Sequence, residues 1–151
     1  MSTKHFTIDI QAPKQKVWEV MLTDATYREW TDAFHPGSYF EGSWEKGSEI
    51  RFLALDEGSV GGMLSKIAEN IPYEYISIEH LGEVVDGKDD VTSESALEWA
   101  GSHENYRFTE EGGVTTVDVE LQGDNIDDEV TEMLEDMWPP ALQKLKEIAE
   151  R

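Results

Sequence analysis

Residues 126–151, IDDEVTEMLEDMWPPALQKLKEIAER, carry one amphipathic helical pattern straight through two consecutive prolines. At about 100° per residue, Ile126, Val130, Met133, Leu134, Met137, Ala141, Leu145 and Ile148 share about one third of the circumference, with Trp138 and Leu142 at one edge. The stripe keeps its phase past Pro139 and Pro140, which predicts one kinked helix and not a helix–loop–helix. The prolines cannot donate to the carbonyls of Glu135 and Asp136, a loss of about 3 kcal/mol for an interior proline. Burial of Trp138 and its neighbours can offset it. Asp127, Asp128 and Glu129 at the start and Lys144, Lys146 and Arg151 late in the segment complement the helix dipole. Such a helix is about 35 Å long, enough to cross a sheet of about seven strands.

Almost everything before it reads as strand, turn, strand. Phe6, Ile8 and Ile10 alternate with polar residues in a first strand. Pro13 suits the first turn of a helix whose inner face is Val17, Val20 and Met21. Asp24 can cap a second short helix bearing Tyr27 and Trp30. Six apolar-alternating segments follow, from SYFEGSWE to VTTVDVELQ, with Phe40 and Trp44 in phase in the first. In ALEWAGSHENYRFTE the parity changes between Leu97 and Trp99 and the later Tyr106 and Phe108, which predicts a bulge near Gly101 and Ser102. The polar run EVVDGKDDVTSES predicts a long mobile loop. Asp124 or Asn125 is placed to cap the final helix. The order gives one α+β domain over residues 1–151: a curved antiparallel sheet of about six to seven strands, two short helices after the first strand, and a long closing helix.

The net charge of −21 on 151 residues argues against nucleic acid and anionic membranes as partners, since both need clustered Lys and Arg. It also disfavours anionic ligands. With no cysteine there is no disulfide framework, thiol nucleophile or thiolate metal site. No apolar run approaches the roughly 20 residues of a membrane span, and the first residues enter a strand pattern directly, so a cytoplasmic protein is expected.

No phosphate-binding glycine loop or HExxH motif occurs, and residues 86–90 lack the alternating oxygen ligands of a calcium loop. No metal or cofactor is signalled. The pairs Glu79-His80 and His103-Glu104 could supply acid–base chemistry, but neighbours on a strand point to opposite faces, so each pair offers one inward member. Glu104 and Tyr106 share a parity and face the same way. Aromatics from separate elements, Trp30, Phe34, Trp44, Phe52, Trp99, Tyr106 and Trp138, can converge beneath the final helix, where Val130, Leu134 and Met137 would form a roof. Met63, Met133 and Met137 add deformable surface. With Glu104 and Tyr106 as polar anchors, these residues form a candidate apolar ligand site.

Segments spread over the whole length, among them IQAPKQKVWEVMLTDATYREWTDAF, GSWEKGSEIRF, LEWAGSHENYRF and WPPALQKLKEIAE, resemble the START-like (SRPBCC) superfamily. More narrowly the chain resembles its Aha-type branch, named after activators of a heat-shock chaperone ATPase. The resemblance implies a helix-grip fold, a sheet wrapped around the last helix with a cavity between them. It also implies ligands of the lipid, sterol, polyketide or hormone kind, and in some members cyclase or hydratase activity. Chaperone activation in the founding proteins depends on an additional domain, for which 151 residues leave no room. The expected function is binding of a small, mostly apolar, uncharged or cationic molecule, of the lipid or aromatic-metabolite class, with no evident catalysis. The alternatives are a cyclase- or hydratase-like enzyme using His80, His103, Glu104 or Tyr106, and a chaperone cofactor or other module with a protein partner.

Overall fold

The computed structural model describes residues 2–151. Strand β1 (Ser2–Ile10) leads into α1 (Lys14–Leu22), α2 (Asp24–Trp30) and one 3-10 turn (Thr31–Ala33). The strands β2 (Ser38–Gly42), β3 (Glu49–Asp56), β4 (Ser59–Ile71), β5 (Tyr75–Val85) and β6 (Lys88–Asp90) follow. Then come α3 (Glu94–Trp99), β7 (His103–Glu111), β8 (Val114–Gly123) and α4 (Asp128–Glu150). The sheet runs β1-β8-β7-β5-β4-β3-β2, all neighbours antiparallel, with the short β6 added to β5. This is the helix-grip architecture.

The register explains which side chains meet α4. Tyr106 lies opposite Ile76 on one side and Val119 on the other, and Glu104 opposite Ile78 and Leu121. Paired residues share a face, so these side chains line one inner surface. Ile10, Ile76, Ile78, Val117 and Val119 there, and Val17 and Met21 of α1 in the same core, have no exposed surface. The second half of α4 completes this core with Ala141, Leu142, Leu145, Ile148 and Ala149, all buried. A smaller cluster of Leu53, Leu64 and Val84 forms apart from it.

Helix α4 is uninterrupted, with Pro139 and Pro140 inside it. Both prolines are exposed, as are Glu135 and Asp136, whose carbonyls lose their donors. Those carbonyls can therefore take water, which lowers the cost of the interruption. The helix begins later than Asp124 or Asn125 could cap. Asp127 is the N-cap, accepting 2.9 Å from the amide of Val130. Asp24 likewise proves to be the first helical residue of α2, paired with Arg28, and not its cap.

Two elements differ from the sequence expectation. The parity change before β7 is no bulge within a strand, because residues 94–99 are helix α3. Ser93 accepts from Ala96 N at 3.1 Å and caps it. Helical spacing buries Ala96 and leaves Leu97 58% exposed, and Gly101, at φ +85°, turns the chain into β7. The run expected as a long loop is mostly a hairpin. Asp86 and Gly87 both take positive φ, the conformation of a two-residue type I′ turn, and join β5 to β6.

Candidate functional site

Between the inner sheet face and the first half of α4 lies a cavity of about 320 Å³. From α4 it is lined by Val130, Met133, Leu134, Met137 and Trp138, and by nothing beyond the prolines. The reason is angular. The packed side of the helix is centred near Trp138 and Leu145, so Met133 and Met137 fall on its far flank and meet open space. Trp138 is therefore central to the buried face and not at its edge, and Met133 is 41% exposed.

The walls come from helices α2 and α3 and from strands β3, β4, β5, β7 and β8. Trp30 of α2 and Phe34 just beyond it stand on one side, Phe52 of β3 and Met63 of β4 on another, and Trp99 ends α3 at the remaining side. Glu104 and Tyr106 reach in from β7. Of the residues expected to converge, Trp44 does not line the cavity. Strand β2 ends at Gly42, where a Cβ would lie 2.5 Å from Glu49 O, so the alternation does not carry through to Trp44. Its ring packs instead beside Phe40 and Phe52, with centroids 5.3 and 5.6 Å away.

Four polar side chains, Ser65, His80, Glu104 and Tyr106, form a row on the inner face. His80 Nδ1 lies 2.8 Å from Ser65 Oγ, a hydrogen bond whose direction follows the imidazole tautomer. Its Nε2 is 3.7 Å from Glu104 Oε1. The Tyr106 hydroxyl donates a short hydrogen bond to Glu104 Oε2. A register shift sets up this row. Ser65 pairs with His80 but Leu64 pairs with Gly82, which leaves Leu81 out of the ladder. His80 thus points inward opposite Ser65, while Glu79 meets Lys66 on the other face. Each His–Glu pair does supply one inward member, His80 from the first and Glu104 from the second. His103 borders the cavity with its Nδ1 3.4 Å from Ser77 Oγ.

Burial, and then the charge of Glu104, raise the Tyr106 phenol well above its ordinary range. The Tyr27 phenol is pushed up for the same two reasons in the same order. The folded chain therefore holds two protons that the unfolded chain releases near the ordinary value of 10.0. Stability from these groups is fully present below that pH and falls as pH rises above it. Tyrosinate absorbance from these two residues is expected only together with alkaline loss of the folded circular-dichroism signal. Titration of all five tyrosines in a still-folded protein would contradict this.

Sequence reading missed Tyr27, Leu121, Gln122, Asn125 and Ile126, which also line the cavity. Ile126 and Tyr27 were visible as apolar members of their segments, whereas the contribution of Asn125 depends on a loop path that no local pattern encodes. Ser65, the buried partner of His80, had no signal, because pairing across the register shift creates it. Among the described residues no group of three or more His, Asp or Glu is placed to hold a metal, and no helix is long and apolar enough to cross a membrane.

A family model described as Activator of Hsp90 ATPase homolog 1-like protein matches residues 11–150. No curated protein sequence matches the chain. Among solved structures, the chain is similar to the Aha1 dimer from Colwellia psychrerythraea, 18% identical over 99% of this chain and 97% of that one, with a TM-score of 0.72. It is similar to a protein from Cytophaga hutchinsonii, 18% identical over 99% and 94%, with a TM-score of 0.74. A protein of the dynemicin biosynthetic locus is 14% identical over 99% of this chain and 48% of that one, with a TM-score of 0.73. At these identities the likeness is one of fold.

Proposed function

The chain belongs to the Activator of Hsp90 ATPase homolog 1-like family, within the START-like (SRPBCC) superfamily, and from that premise we propose that it is a single-domain cytoplasmic carrier of a small, mostly apolar molecule. The observation that carries this reading is the cavity of about 320 Å³ between the sheet and the first half of α4. A well-packed core leaves few voids larger than a water. This space is walled by aromatic and methionine side chains with a few polar groups on one side, the composition of a small-molecule pocket. Lipid-like or aromatic-metabolite ligands are expected to raise the melting temperature. At a hundredfold excess over Kd the gain is about 2.7 kcal/mol. A broad library of such compounds that leaves the transition unmoved would sink the reading.

The meeting of His80, Glu104 and Tyr106 in one cavity favours a second reading, acid–base catalysis of the cyclase or hydratase kind. The same library separates the two. A carrier returns its ligand unchanged by mass spectrometry, and an enzyme returns a product.

A further inference from the structure

We propose that the cavity selects an amine-bearing aromatic or apolar ligand, whose ammonium group is held by Glu104. The inference rests on the carrier reading and names its ligand class. Among the described residues, Glu104 brings the one carboxylate into the cavity, and neither Lys nor Arg lines it. Its Oε2 is occupied by the Tyr106 hydroxyl. Among the same residues Oε1 has no donor within hydrogen-bond distance, because His80 Nε2 stands 3.7 Å away. A ligand N–H at Oε1 completes the coordination of a carboxylate that is only 22% exposed, and hydrogen bonds to charged groups are the stronger kind.

The surroundings suit a cation. Trp99 lies edge-on to His80, with ring centroids 6.4 Å apart, and Trp138 stands 6.2 Å from Tyr106. Aromatic rings thus flank both polar neighbours of Glu104, and ring faces attract ammonium groups, more strongly once water is excluded. The approach has the same sign. A hollow of about 510 Å³ adjoins the cavity, shares Trp99, Ser102, Asn125 and Val130 with it, and carries Glu98, Asp124 and Asp127 on its walls. A chain of net charge −21 draws cations toward such an opening and repels anions.

The test uses three probes of one shape and different charge: tryptamine, its neutral alcohol analogue tryptophol, and indole-3-acetate. Each is titrated by calorimetry into the full chain at neutral pH. Tryptamine is expected to bind about tenfold or more tighter than tryptophol, and indole-3-acetate more weakly than both. In Glu104→Gln the preference for tryptamine over tryptophol should vanish. Equal or tighter binding of tryptophol or indole-3-acetate, or a tryptamine preference that survives Glu104→Gln, would overturn the proposal. If tryptophol binds and tryptamine gains nothing, the amine assignment falls and the carrier reading stands. If none of the three binds, the amine assignment falls, and the carrier reading is decided by the broader library. The comparison on the unaltered chain decides the matter even if Glu104→Gln does not fold.

Discussion

Trp138→Ala is expected to destabilise the protein by about 3–5 kcal/mol, a fall in melting temperature of roughly 6–20 °C for a chain of this length. The indole is 4% exposed. It joins elements far apart in sequence. It stacks with Phe6 of β1, centroids 6.4 Å apart, and meets Phe34 edge-on at 4.8 Å. Trp30 lies 6.3 Å away and Tyr106 6.2 Å. Alanine removes all four contacts, and its void merges with the cavity that Trp138 already lines, so little collapse can repair it. The residue also precedes Pro139, where helical backbone is disfavoured, and its burial helps hold that turn. Met133→Ala, on the same helix but 41% exposed, should move stability far less. Urea unfolding of the pair measures the contrast. A loss under about 1 kcal/mol for Trp138→Ala would mean that this aromatic junction does not clamp the helix to the sheet.

The same residue marks how far the sequence could be read. Periodicity identified the closing helix and its continuity through the prolines, because apolar residues held at one phase from Ile126 to Ile148 can share a face only if the chain stays helical throughout. The register of the sheet was legible where alternation was regular, as for Glu104 and Tyr106, and failed where the chain breaks its own period. Trp44 lies beyond the end of β2, so counting by twos placed it wrongly. Leu97 and Trp99 were read at strand spacing because six helical residues are too few for a period of 3.6 to stand out. The Ser93 cap and the Asp86-Gly87 turn were local signals that could have corrected the reading of that region. The approach of Ser65 to His80 could not have been found this way, since it depends on one unpaired residue in a ladder formed by segments about fifteen positions apart.

Leu134→Trp is the sharpest probe of whether the space beneath α4 does work. Leu134 belongs both to the core cluster and to the cavity lining. A larger ring at this position can rotate into the open space and fill it without displacing packed neighbours. The substituted protein is expected to stay folded, within about 1 kcal/mol of the original, because overpacking costs about 1–3 kcal/mol only where no room exists. Ligand-induced stabilisation should be lost with it, since the volume the ligand needs is taken. Leu145→Trp supplies the contrast. Leu145 has no exposed surface and sits in the half of α4 that borders no part of this cavity. The same enlargement there should show the full overpacking penalty. Melting curves of both variants, with and without a ligand that stabilises the unaltered chain, read all four quantities. If Leu134→Trp is as costly as Leu145→Trp, the roof is part of the packed core. If it is well tolerated and the ligand still binds, the ligand sits elsewhere on the molecule. Stability kept and binding lost together would make the first half of α4 a roof and the second half an anchor, with the two prolines at the boundary between them.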